Sequence, residues 1–144
     1  LLSALGFAFS ARADQVPTNL SITNNLATNG VAVANLGSAI VLNQVDAAGF
    51  LWSGVASVTS TGSVWLTFSR SADNSTWGTD SASQFVWAVP LNGATAVAGW
   101  TNFAKTFLGT APYVKLVGMT NDDTTCYVTN MVLKVIKKTL KPSP

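Results

Sequence analysis

After residue 20, no stretch of a dozen residues carries a helical period of apolar side chains, and this restricts the fold more than any other feature. The chain alternates instead. In "SVWLTFS" (63–69), Val64, Leu66 and Phe68 point one way and Trp65, Thr67 and Ser69 the other, as side chains do along a β-strand. "SQFVWAVPL" (83–91) repeats the pattern, with Phe85, Trp87 and Val89 on one face and Pro90 as its stop. "PYVKLVGM" (112–119) puts Val114 and Leu116 inward and Lys115 outward. Further strand-like runs are "NLSITN" (19–24), a short one at Val31 to Ala34, "SAIVLNQV" (38–45) and "GFLWSGVASV" (49–58), where Gly54 is a candidate bulge. The run after Asn92-Gly93 and the long "TCYVTNMVLKVIKK" (125–138) complete the set. Ser60 to Gly62, Asn92-Gly93 and "NDDT" (121–124) read as turns.

About eight strands at roughly 8–12-residue spacing are the mark of a sandwich or barrel. A parallel sheet needs helical crossovers, and no segment supplies one. The expectation is an all-β, antiparallel β-sandwich of jelly-roll-like type with an extended N-terminal arm. The length of 144 residues suits one domain. The boundaries read as an arm over 1–18, a sandwich over 19–138 and a tail over 139–144.

The opening "LLSALGFAFSARADQ" has two readings. It resembles the apolar core of a signal peptide followed by Ala11-Arg12-Ala13, a cleavage pattern. It also suits an arm laid on a neighbouring subunit. Leu1, Leu2, Leu5, Phe7 and Phe9 are each unfavourable in water by roughly 1.5–3 kcal/mol, which favours the arm. The run is too short for a membrane span, which needs about twenty apolar residues. At the other end, Lys134, Lys137, Lys138 and Lys141 hold half of the 8 basic side chains. A solvated end of the last strand is the plain reading, and contact with an acidic neighbour the sharper one.

Chemistry has little to work with. The sequence has 0 His, and all 6 acidic residues are Asp: Asp14, Asp46, Asp73, Asp80, Asp122 and Asp123. The commonest general base and metal ligand are therefore missing. Serine and threonine hydroxyls lack a His or Glu to activate them, and no Ser-x-x-Lys occurs. The single Cys126 excludes an intrachain disulfide and reads as a buried thiol. "NDD" (121–123) offers too few oxygens for calcium and reads as a turn. "SRSADNSTWGTD" (69–80) holds Asp73 and Asp80, but Asp, Asn and Ser there favour a tight turn between two strands. No catalytic residue, cofactor or metal is expected. A net charge of +2 gives no argument for nucleic acid.

Five tryptophans, Trp52, Trp65, Trp77, Trp87 and Trp100, read as core or interface aromatics or as a sugar platform. Trp87 belongs to the inward face of its run. Trp65 lies opposite Val64, Leu66 and Phe68 and is the candidate interface residue. Two sequons, Asn19-Leu20-Ser21 and Asn74-Ser75-Thr76, are expected by chance in a chain rich in Asn, Ser and Thr.

"VWLTFSRSADNSTWGTD" resembles a hairpin of small β-sandwich proteins in tailed-bacteriophage virions, in which a strand ends in a Ser-x-Asp-Gly/Asn-x-x-Trp turn. "FVWAVPLNGATAVAGWTNF" is similar to the strand and turn that follow, and "APYVKLVGMTNDDTTCYVTNMVLKVIKK" to the closing strand pair. The likeness covers residues 48 to 138, and Asn74 stands where Gly is frequent. It implies a structural protein: a capsid decoration or cement subunit, or a tail or fibre component.

Only 10% of the residues are charged, against about 25% in ordinary soluble domains, which suits a subunit packed in a large assembly or exposed outside a cell. The expected function is thus a non-enzymatic virion protein, held to its own copies and to a major capsid or other virion protein. Leu1, Leu2, Leu5, Phe7, Phe9, Trp65, Lys137 and Lys138 are the interface candidates. A secreted filament or surface subunit assembled by strand addition is the first alternative, and a carbohydrate-binding module the second.

Overall fold

The structure, a computed structural model, describes residues 13–21, 26–28, 30–32, 36, 38–42, 47–93, 95–102 and 111–140. Within these, the side chains of 13–21, 32, 47–48, 100–102 and 137–140 lie outside the description. Nine strands appear among the described residues: β1 (Ala13–Ser21), β2 (Val31–Ala32), β3 (Ile40–Val41), β4 (Ala47–Ala56), β5 (Ser63–Ser71), β6 (Gln84–Pro90), β7 (Ala96–Asn102), β8 (Tyr113–Asn121) and β9 (Val128–Leu140). All pairing is antiparallel. One sheet runs β1-β9-β4-β7, the other β2-β8-β5-β6, with β3 also on β8. The expected all-β sandwich is the fold observed.

Alternation decides which side chains meet between the sheets. The first sheet contributes Phe50 and Trp52 from β4, Val97 from β7 and Met131, Leu133 and Val135 from β9, all buried. The second contributes Val64, Leu66 and Phe68 from β5, Val89 from β6 and Val114, Leu116 and Met119 from β8. Phe50 and Phe68 join the layers directly, their ring centroids 5.1 Å apart. Each large side chain so buried stabilises the fold by roughly 1.5–3 kcal/mol, so this shared core is its main support. Trp87 packs against the core from its edge and is half-buried, on the face its sequence pattern assigns.

The irregularity expected at Gly54 is present, with the extra residue on the partner strand. Between the pairs Ser53↔Val132 and Val55↔Thr129, β4 has Gly54 alone while β9 has Asn130 and Met131. Asn130 takes a left-handed φ of 51°, a conformation Asn tolerates. Gly54 is required for a different reason: a Cβ there would lie 2.8 Å from Trp52 Cη2. Asn92 and Gly93 form the expected turn, with φ values of 52° and 69°. That turn does not join paired neighbours. It carries the chain from β6 in one sheet to β7 in the other.

The connections gather at two ends. The β5–β6 hairpin loop (72–83) lies at one end, beside the start of β8, since Ser71 pairs with Tyr113. The links after β4, β6 and β8 lie at the other end, where Ser57 N donates to Tyr127 O at 2.9 Å and Gly93 N to Ser60 O at 2.6 Å.

Candidate functional site

The outer face of the second sheet is built by register. Val31 pairs with Thr120, Thr120 with Trp65 and Trp65 with Ala88, so these four form one row across β2, β8, β5 and β6. The next outward row is Gly118, Thr67 and Val86. A bulge lies just beyond, where Thr67↔Gly118 is followed by Phe68↔Leu116 and Val117 is the extra residue. Neither row carries a charge. Trp65 is 41% exposed, Val86 53% and Val31 68%, so three large apolar side chains face solvent on one sheet surface.

Trp65 is tied to the neighbouring turn. Its indole N–H donates to Asp122 Oδ2 at 2.7 Å, and the other oxygen of that carboxylate accepts from Ser63 N at 2.6 Å. Asp123 supports the same turn from the other side. Its carboxylate accepts from Ser60 Oγ, from Thr125 N at 2.7 Å and from Cys126 N at 2.8 Å. The Ser60 hydroxyl and the Thr125 amide and hydroxyl hold the Asp123 carboxyl well below the usual carboxylate range. Gly62 packs so close that a Cβ would meet Asp123 Cβ at 2.7 Å. Beneath the turn, buried Asn121 donates to Ala27 O at 3.1 Å and Cys126 O at 2.7 Å, and accepts from Asp123 N at 3.1 Å.

The hairpin loop covers the other end of this face. Asp73 accepts from Ser75 N at 2.9 Å, Thr76 N at 2.8 Å and Ser71 Oγ at 2.9 Å. The amides of Thr76 and Ser75 lead in keeping its carboxyl ionised to unusually low pH. Asn74 takes the left-handed φ of 61°, which explains how Asn serves where Gly is frequent. Gly78 O accepts from Ser69 Oγ at 2.7 Å and from Gln84 Nε2 at 3.2 Å, which draws the loop over β5. Trp77 lies there with Lys115 Nζ 5.8 Å from its ring centroid. An open depression of about 360 Å³ beside the loop is lined by Arg70, Ser71, Asp73, Thr76, Ser83 and Ala111 among others. Its carboxylate is used up by the turn.

These carboxylates therefore organise backbone and hold no spare reactive pair. Among the described residues no three His, Cys, Asp or Glu side chains gather as a metal site. Cys126 is buried, and burial raises its thiol pKa, as expected of an inert thiol.

Of the predicted interface residues, the structure describes Trp65 and the backbones of Lys137 and Lys138, which belong to different sheets. Trp65 is exposed on the second sheet. Lys137 and Lys138 belong to β9 of the first sheet, where their backbones pair with Ala48 and Ala47. Their side chains, and Leu1, Leu2, Leu5, Phe7 and Phe9, lie outside the described residues. Sequence reasoning missed Val31, Val86 and Asp122. Val86 stood in plain alternation opposite Phe85 and Trp87, a signal that was available. Asp122 lies 57 residues from Trp65, and no local pattern joins them.

No protein-family model matches the sequence, and none of the curated proteins compared with it matches. Among solved structures, the fold is similar to that of a chain described as PRD1 vertex protein P5. The two share 12% identity, the match covers 92% of this chain and 100% of that one, and the TM-score is 0.39. No helix among the described residues is long and apolar enough to cross a membrane.

Proposed function

We propose that this protein is a non-enzymatic structural subunit of a virus particle, a capsid decoration or cement protein held in place by contacts between subunits. The observation that carries the reading is the pair of uncharged rows on the outer face of the second sheet. There Asp122 fixes an exposed tryptophan in a row with Val31 and Ala88, beside Val86. Aromatics set in an apolar surface are typical of the centres of protein interfaces. The strand order supports the same reading. With β2 and β3 taken as two pieces of one strand, the two four-stranded layers have the order of a jelly roll, a fold widespread in capsids. The sequence likeness to tailed-phage virion sandwiches points the same way, and the low charge suits a packed subunit. The acidic turns serve as clasps, which agrees with a protein that holds rather than reacts.

Antibody raised against the protein and imaged on particles from its native source tests this directly. Regular labelling of capsid surfaces is the expected result. Label confined to filaments, or to soluble secreted protein, would sink the virion reading.

A further inference from the structure

One edge of the second sheet is unusually open. Among the described residues, β6 is paired by β5 on one side and by no strand on the other. Its sequence, Gln84-Phe85-Val86-Trp87-Ala88-Val89-Pro90, carries no charge. Exposed edges are normally blunted by charge, bulges or shortness, because unpaired N–H and C=O groups recruit further strands. β6 runs seven residues in regular register with β5 and has only its terminal Pro90 as a guard. Its inward row is also incompletely covered. Phe85 and Trp87 are half-buried, whereas Val64, Leu66 and Phe68 in the same layer of β5 are fully buried. A further strand with bulky inward side chains would complete that row. The opposite edge, β7, has less to gain, since Val97 is already buried and Gly99 has no side chain.

The chain contains a segment with that pattern. In residues 4–10, "ALGFAFS", the bulky Leu5, Phe7 and Phe9 alternate with Ala4, Gly6, Ala8 and Ser10. This is the period of a strand with one large apolar face and one small face, and it too is uncharged. The segment cannot reach β6 of its own subunit. Chain enters the first sheet at Ala13, on β1, and β1 and β7 are the opposite edges of that sheet. Three strand spacings separate β1 from β7, roughly 14 Å, before the step across to β6. The three Cα steps from Ser10 to Ala13 span at most about 11 Å.

We infer that residues 4–10 of one copy add as a strand to the free edge of β6 in a second copy, with Leu5, Phe7 and Phe9 beside Phe85 and Trp87. This inference rests on the reading of the protein as an assembled subunit, and it names the contact. Main-chain hydrogen bonds give such strand addition its affinity, and the alternate side chains give it register. Because the donor and acceptor surfaces differ, copies either exchange segments reciprocally in a two-fold pair or link head-to-tail into rings and open arrays.

The full-length protein and a full-length variant carrying Leu5→Asp, Phe7→Asp and Phe9→Asp are compared by sedimentation and by amide hydrogen exchange across residues 84–90. These positions lie outside the described residues, and circular dichroism and thermal unfolding of the variant, run alongside, check that it folds. The wild type is expected to self-associate, with β6 amides protected about tenfold or more once association is near complete. The variant is expected to be monomeric with fast exchange in β6, and a synthetic peptide of residues 1–12 to restore the protection. A variant that associates like the wild type, or β6 amides indifferent to association and peptide, overturns the inference while leaving the assembly reading standing. A wild type that neither self-associates nor labels on particles removes the assembly reading and the inference with it.

Discussion

Trp65 donates its indole N–H to Asp122 Oδ2 at 2.7 Å, linking the outer face of β5 to the turn between β8 and β9. One carboxylate thus orders an exposed aromatic and, through Ser63 N, the first residue of its strand. An exposed tryptophan without such a tether would sample several rotamers, and each would have to be given up on binding. The tether holds the indole in one place in the free protein.

Asp122→Ala removes both bonds while leaving the core intact. The expected loss is about 1 kcal/mol of stability, with Trp65 more mobile. Thermal unfolding measures the first, and fluorescence anisotropy decay, with a Trp65→Phe variant to subtract the other tryptophans, measures the second. Unchanged indole mobility would mean that Asp122 does not hold the ring.

Asn121→Ala deletes the buried amide that satisfies Ala27 O and Cys126 O. Ala27 O keeps its bond from Gly30 N, but leaving the buried Cys126 O without this donor is expected to destabilise by about 2 kcal/mol in urea unfolding. Asn121→Asp should be worse, because it sets an acceptor against two acceptors. A ranking with Asp milder than Ala would contradict the network.

Gly54→Ala places a methyl 2.8 Å from Trp52 Cη2 and 3.1 Å from Val128 Cγ1. Trp52 is fully buried and its indole N–H has no hydrogen-bond partner among the described residues, so nothing polar guides it to a new place. Overpacking here is expected to lower stability by about 1–3 kcal/mol. A neutral result in urea unfolding would show that the ring can move aside.

Acid is expected to weaken the fold, and neutral pH to leave it unchanged. Asp73 and Asp123 titrate below their ordinary value of 3.8 in the folded chain. Their stabilisation is therefore complete above that value, and it is lost as pH falls through it toward the lower folded values. With 0 His, side-chain protonation contributes little between about pH 5 and 8. The urea midpoint should stay level there and drop below about pH 4. The double variant Asp73→Asn, Asp123→Asn should be weaker at neutral pH and show a shallower acid limb. An identical acid limb would show that other groups govern it.

Strands with clean alternation were legible from sequence, because one buried face forces the period. β5, β6 and β8 fall within two residues of their sequence positions. β1 was not legible. The sequence suggests a strand at 19–24, but β1 spans Ala13–Ser21 and contains Pro17. Among the described residues it is an edge strand paired with β9, a setting in which a mid-strand proline is tolerated. The Asn92-Gly93 turn was visible, but its role in passing the chain between sheets was not, because turn chemistry is blind to which sheet follows. The exposed face was half legible. Trp65 could be read from its own strand, whereas its neighbours depend on register between segments far apart in the chain.

The strand order also fixes when the molecule can come into being. β8 lies inside the second sheet, between β5 and the β2/β3 edge, and β9 lies inside the first, between β1 and β4. One interior strand of each layer is therefore made after all the other strands described. A nascent polypeptide ending before Tyr113 has only the pairs β5–β6 and β4–β7 available, and β1 has no partner. Neither pair alone shields its apolar face, since two-stranded ribbons are marginal in water. The second layer cannot close until β8 is made, at Asn121, and the first not until β9 is made, at Leu140, so a chain stopped short in β9 has no complete first layer to cover the apolar face of the second.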